Sequence, residues 1–293
     1  MKKLNLFVFA TIISLCGCLM VNAQNTVEPY FTTSELPNLI KCLPAPPDTM
    51  SEHFVHDIMR YIWGKQQRLD EERAAIARRD AVWSYEALFQ EFNEPFGLEI
   101  SREGTPQIWK LLETSLVTTD QMRVAPKKFY NRMRPYVRFH EHILTDGQEE
   151  DEVELGKEGS YPSGHTARGW TCALLLAEIN PANADTIFAR GWMYGESRVI
   201  VGAHWQSDVD ATRVAASIGY SRLQTSPAFR AQMALAQEEF RMLTGQSYVP
   251  AVIDTTNSYQ GDGVVYNIMG QRVDEHYNGI VIEDGKKSIQ IHP

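Results

Sequence analysis

The chain has 293 residues, with 28 Lys and Arg against 37 Asp and Glu, and a formal net charge of -9. That acidity argues against nucleic acid or an anionic membrane surface as the main partner, and it makes any local cluster of cations stand out. Past the N-terminus no segment reaches the roughly 18 apolar residues a bilayer crossing needs, so no stable membrane insertion of the mature chain is expected.

The opening Met1-Lys2-Lys3, an apolar run from Leu4 to Val21 and the small residues before Gln24 describe a secretory signal peptide over 1–23, cleaved after Ala23. Leu15-Cys16-Gly17-Cys18 leaves a lipoprotein signal at Cys18 as the alternative. Removing 1–23 takes away two lysines and no acids, which moves the charge to -11. Of the cysteines, Cys42 and Cys172 then remain, too few for a disulfide framework although an exported location permits a bridge. Residues 24–47 are extended and proline-rich, and Asp48 and Ser51 offer caps for a helix through Met59, Tyr61 and Ile62. Proline-free, charge-rich sequence predicts helix from Gln66 to Phe92, and further helices fit 105–118, 126–134, 166–179, 184–195, 206–222 and 227–243. The expectation is an all-α domain over 24–243, a linker over 244–263 rich in Gly, Ser, Thr and Asn, and a small β appendage over 264–293. Three short strands are predicted there, at 264–268, 279–282 and 286–291.

Three segments carry the chemistry. Lys127-Lys128-Phe129-Tyr130-Asn131-Arg132-Met133-Arg134-Pro135 sets Lys127 and Arg134 seven apart, which on one helix is the same face two turns apart. Pro162-Ser163-Gly164-His165 opens an apolar helix, where unpaired N–H groups attract anions. Ser197-Arg198 is followed by His204 and Asp208, four apart, so that a carboxylate can reach one imidazole nitrogen and fix the tautomer. Taken singly, the Lys/Arg run is usually a solvated face and the His/Asp pair more often a structural hydrogen bond, while the Pro162–His165 turn reads equally well as a plain helix entry. Together they supply three cations, an anion nest and two histidines, the parts phosphoryl transfer requires.

At this spacing the chain resembles the type 2 phosphatidic acid phosphatase (PAP2) superfamily, and within it the bacterial class A non-specific acid phosphatases. Gly159-Ser160-Tyr161 before the second motif and Leu43-Pro44-Ala45-Pro46-Pro47 add to that likeness, which covers roughly 37–243. It implies a helical bundle of that family's type. It further implies an exported phosphatase of broad specificity toward small phosphate monoesters, with no metal or other cofactor, and it leaves transfer of phosphate to alcohols open. By analogy His204 is the nucleophile forming a phosphohistidine, Asp208 orients it, and His165 is the general acid and base. Lys127, Arg134, Ser163, Gly164 and Arg198 would hold the phosphoryl oxygens, and nearby cations would lower the His165 pKa. A vanadium-dependent haloperoxidase, a lipid phosphatase and a phosphate-binding protein without turnover are the alternatives. The location expected is periplasmic or secreted. A homo-oligomer is left open.

Other features are set aside. His53 with His56 and His140 with His142 lack further ligands at metal spacing and read as ordinary histidines. The acidic run Glu149–Glu152 with Glu154 reads as a solvated loop, with shaping access to the site as the alternative. Trp170, Trp192 and Trp205 read as core or site wall. Tyr266–Val273 and Gly279–Ile282 resemble the C-terminal sorting tails of secreted Bacteroidota proteins, which leaves engagement of a secretion machinery open.

Overall fold

The computed structural model describes residues 27–245 and, in the tail, 265–267, 272–274, 279–283 and 286–290. The signal-peptide and lipoprotein readings, and most of the proposed linker, lie outside the described residues. The chain divides into two compact units, Met1–Phe240 and Arg241–Pro293.

The first unit is helical. In chain order come α1 (Leu39–Cys42), α2 (Glu52–Gln67), α3 (Glu71–Arg79), α4 (Tyr85–Gln90), α5 (Asn93–Phe96) and α6 (Pro106–Asp120). Then follow α7 (Val124–Tyr130), α8 (Pro135–Phe139), α9 (Gln148–Gly156), α10 (Gly164–Ile179), α11 (Ala184–Ile200), α12 (Gln206–Leu223) and α13 (Pro227–Thr244). Helix α10 is central and packs against α6, α11 and α12. It buries Thr171, Cys172, Ala173, Leu175 and Leu176, so it is apolar nearly all round rather than along one stripe. Cys172 is fully buried and Cys42 exposed, and both are free thiols. Around α10 gather Leu88, Phe89, Phe92, Phe96, Ile108, Leu111, Leu112, Leu116 and Ile187, one continuous core.

Glycine brings the helices of the site end close together. A Cβ on Gly64 of α2 would lie 2.8 Å from the Val199 carbonyl oxygen of α11, and one on Gly191 of α11 2.7 Å from the Ala173 Cβ of α10. Helix α6 has no side-chain cap at Thr105; instead the buried Glu239 carboxylate of α13 accepts from the Gln107 and Ile108 N–H groups at 2.8–3.1 Å. Among the described residues no helix is long and apolar enough to cross a membrane.

Three helix expectations are corrected. The segment 66–92 is not one helix: Asp70 caps α3, Ser84 caps α4, and buried Asp80 between them binds Arg190 and Ser197. Local caps and a buried charge outweigh the segment's helical composition. The helix expected over 126–134 ends at Tyr130, because Asn131 takes the left-handed conformation (φ 39°) and Pro135 holds Arg134 extended (ψ 153°). The acidic run is not a loop but α9.

The second unit contains a four-stranded antiparallel sheet in the order β2-β1-β3-β4, from β1 (Val265–Asn267), β2 (Arg272–Val273), β3 (Gly279–Glu283) and β4 (Lys286–Gln290). The two-residue β2 is the strand that patterning misses; it is too short to show alternation.

Candidate active site

The three motif segments converge on one cavity of about 450 Å³ at the end of α10. Lys127, Arg134, Gly164, His165, Arg198 and His204 all face it. Asp208 lies behind His204, and Ser163 lies beneath the wall, both fully buried.

Lys127 and Arg134 meet here by a route the sequence does not announce. They are not on one helix face. The chain turns at Asn131 and runs extended to Arg134, and both side chains then donate to the Gly159 carbonyl, at 2.8 and 3.3 Å. Arg134 is further clamped by the Leu155 and Ala203 carbonyls at 2.8 and 3.0 Å. Burial first, and then Arg134, pull the Lys127 ammonium down to about 8.

Ser163 caps α10, its Oγ accepting from the Thr166 N–H and hydroxyl, while its own N–H donates to the Thr212 hydroxyl of α12. The cap leaves the Gly164 and His165 N–H groups in the first helical turn, where no carbonyl of the helix reaches them. Gly164 is closely covered: a Cβ there would lie 3.2 Å from Trp83 and 3.4 Å from the Arg123 side chain, tighter than ordinary contact.

Arg198 lies in the last turn of α11, 1 % exposed, and its Nε and Nη1 have no hydrogen-bond partner. A buried cation with unmet donors facing a cavity is built to receive an anion. Burial draws it down to about 10, which still leaves it charged at neutral pH.

After α11 the chain reverses through Gly202 (φ 82°), and the His204 N–H folds back onto the Arg198 carbonyl at 3.2 Å. His204 therefore precedes α12 rather than sharing a helix with Asp208, which sits in that helix's first turn. The pairing nevertheless forms: His204 Nδ1 faces Asp208 Oδ2 at 3.4 Å, outside good hydrogen-bond geometry. On the other side, Arg134 Nη1 lies 3.2 Å from His204 Nε2. Arginine only donates, so Nε2 must present its lone pair, which assigns the proton to Nδ1. Burial first, then Arg134, Lys127 and Arg198, hold His204 well below the usual imidazole range and keep it neutral.

His165 Nε2 donates to the Ala81 carbonyl at 3.0 Å, which leaves Nδ1 as the basic atom. Its pKa is lowered as expected, but burial is the largest cause and the Arg198 charge comes second.

Several wall residues escaped sequence reasoning. Trp83, 45 % exposed, stands 4.6 Å from the His165 ring and is backed by the Arg168 guanidinium at 3.3 Å. Arg123 and Glu158 also line the cavity, and Glu158 pairs with Lys127 at 3.2 Å, Arg123 at 3.3 Å and Arg134 at 3.9 Å. Helix α9 contributes Asp151, Glu154 and Leu155, so part of the acidic run lines the cavity. Of the three tryptophans singled out from sequence, Trp205 is core, Trp192 is 49 % exposed, and none lines this cavity. His53, His56, His140 and His142 are all exposed. Among the described residues no cluster of three or more His, Cys, Asp or Glu has metal-binding geometry.

A helical core with an anion-seeking end defines the class, and sequence comparison agrees. The PAP2 superfamily matches residues 107–223, from α6 through α12. The chain is 39 % identical over 215 residues to a non-specific acid phosphatase of Providencia stuartii, covering 73 % of this chain and 85 % of the relative. It is 40 % identical over 218 residues to one of Salmonella typhimurium (74 % and 86 %), and 34 % identical over 208 residues to an acid phosphatase of Zymomonas mobilis (71 % and 77 %). The chain belongs to the PAP2 superfamily, in its branch of non-specific acid phosphatases, which are phosphoric monoester hydrolases.

Proposed function

We propose that the protein is an exported phosphatase of broad specificity that hydrolyses small phosphate monoesters in two steps through a phosphohistidine. The observation that carries this reading is the state of His204. Its Nε2 lone pair lies among Lys127, Arg134 and Arg198, and its Nδ1 proton lies toward Asp208. A protein that only bound phosphate would need no such nucleophile.

In the first step the Nε2 lone pair attacks phosphorus and the ester P–O bond breaks. The leaving oxygen keeps that electron pair and takes a proton from His165 Nδ1. Asp208 supports the positive charge that His204 acquires. In the second step neutral His165 takes a proton from water, whose oxygen attacks phosphorus. The P–N bond returns its pair to His204 and phosphate departs. Lys127, Arg134, Arg198 and the Gly164 and His165 N–H groups stabilise the phosphoryl oxygens, while Ser163 holds the turn that presents those N–H groups. His165 is neutral in the empty site, so its acid role requires the incoming phosphate to raise its pKa; the anion does so by offsetting the surrounding cations.

His204→Ala is expected to abolish release of phenol from phenyl phosphate near pH 5–6 with an unchanged circular dichroism spectrum, and vanadate to inhibit the wild type competitively. Near-normal turnover in that variant would refute the nucleophile assignment. The N-terminal sequence of the mature protein tests export: a start at Gln24 is expected.

A further inference from the structure

Behind His204 lies a buried charge network that joins Asp208 to Arg132, a residue of the first segment with no role in the reading above, and to Asp57, which lies outside all three segments. The Asp208 carboxylate divides its two oxygens. Oδ2 faces His204 Nδ1 and accepts from the Trp205 N–H at 2.9 Å, whereas Oδ1 accepts from Arg132 Nη1 at 2.5 Å. Arg132 is itself held from α2, where Asp57 Oδ2 accepts from its Nη2 at 2.7 Å. Asp57 also accepts from the Ser207 N–H at 2.8 Å and hydroxyl at 2.6 Å, and Ser207 Oγ accepts from Arg132 Nη1 at 2.8 Å. Asp57 and Asp208 are fully buried and the Arg132 side chain is 8 % exposed.

One buried arginine between two buried carboxylates is a costly arrangement, and hydrophobic packing would stabilise this corner as well. Arg132 does not line the cavity, so it does not contact a bound phosphoryl group. Its planar fork meets Asp208 through Nη1 and Asp57 through Nη2 at fixed angles, whereas a lysine would offer both carboxylates one mobile ammonium. Without Arg132 the Asp208 carboxylate would keep only the Trp205 N–H on Oδ2, with nothing holding Oδ1, and the 3.4 Å approach to Nδ1 leaves little margin for a shift in its χ2.

We propose that Arg132, anchored by Asp57, is a positioning residue for catalysis: it locks the Asp208 carboxylate so that only Oδ2 addresses His204, which holds the ring, already in the Nδ1–H tautomer that Arg134 selects, with Nε2 aimed at phosphorus. The proposal rests on the nucleophile assignment made above.

The test is steady-state kinetics of Arg132→Gln, Arg132→Lys and Asp57→Asn, with inhibition by inorganic phosphate and ¹⁵N NMR of the His204 ring. Arg132→Gln should lower kcat by about 10- to 100-fold while KM and the phosphate inhibition constant stay within about twofold. Arg132→Lys should recover part of the loss, and in Arg132→Gln the His204 ring should keep the Nδ1–H form while its Nδ1 resonance shifts as the facing carboxylate moves. A kcat unchanged in folded Arg132→Gln, or a loss that appears mainly in KM and the phosphate constant, overturns the proposal. If Arg132→Gln fails to fold, Asp57→Asn, which keeps an acceptor for the Ser207 N–H, is judged by the same criteria. The Nε2–H tautomer in the resting wild type overturns the proposal without any variant. His204→Ala, run in parallel, separates the failures: activity there refutes the nucleophile assignment. Inactivity there, with Arg132→Gln at wild-type kcat, refutes the positioning role alone.

Discussion

Lys127 links phosphate affinity to pH in a direction opposite to its effect on stability. Its ammonium is buried against Arg134 and titrates at about 8 rather than 10.5. Below about pH 8 it is a cation aimed at the phosphate site; above, its charge is lost. A hydrogen bond to a charged group is worth about 1.5–3 kcal/mol, or roughly 10- to 100-fold in affinity. At about pH 9, one unit above the pKa, some nine in ten empty molecules carry the neutral amine, and phosphate affinity should be about tenfold below its plateau. Phosphate is already dianionic from pH 8 upward, so its own ionisation does not mask the effect. The stability of the empty protein moves the other way. Because the folded pKa is the lower one, the unfolded chain binds more protons between about 8 and 10.5, and stability rises across that window. Calorimetric titration of phosphate between pH 8 and 9.5, in buffers of different ionisation enthalpy, reads both the affinity and the proton taken up. Lys127→Met should weaken binding at pH 8 and flatten its pH dependence above that. A wild-type Kd constant over this range, with no proton uptake at pH 8.5, would refute the reasoning.

Arg198→Met should cost at least about tenfold in phosphate affinity yet keep or raise the melting temperature, since it removes a buried guanidinium with unmet donors; a lower Tm with unchanged affinity would contradict this. Glu158→Gln removes a carboxylate that competes for Lys127, Arg123 and Arg134, so phosphate should inhibit more tightly, by several-fold at low ionic strength and less at high salt. Gly64→Ala sets a Cβ against backbone atoms of α11 at 2.8 Å and should destabilise the fold by about 1–3 kcal/mol in urea titrations.

Much of the site could be read in the sequence because its chemistry is local. Pro162-Ser163-Gly164-His165 specifies a capped helix start, and residues 204–208 span one turn, so His204 and Asp208 meet even though only Asp208 is helical. The alternating helices and the short tail strands were legible for the same reason: caps, prolines and apolar periodicity act within a few residues. Other contributors left no local signal. Trp83 sits in a stretch whose charges read as a solvated helix, and it enters the wall because Asp80 breaks that helix to reach Arg190 and Ser197 far along the chain.

Residue type and spacing singled out the side chains proposed to bind and attack a phosphoryl group, and the family to which the chain belongs. How those side chains are poised follows from packing. Lys127 and Arg134 share a carbonyl acceptor and not a helix face, α9 closes one side of the cavity, and burial rather than neighbouring charge dominates the lowering of both histidines. The physical reason is that residue type and spacing carry short-range preferences. Desolvation, donor orientation and the Asp57–Arg132–Asp208 pairing exist only once α2, the 131–134 turn and the start of α12 are packed against one another.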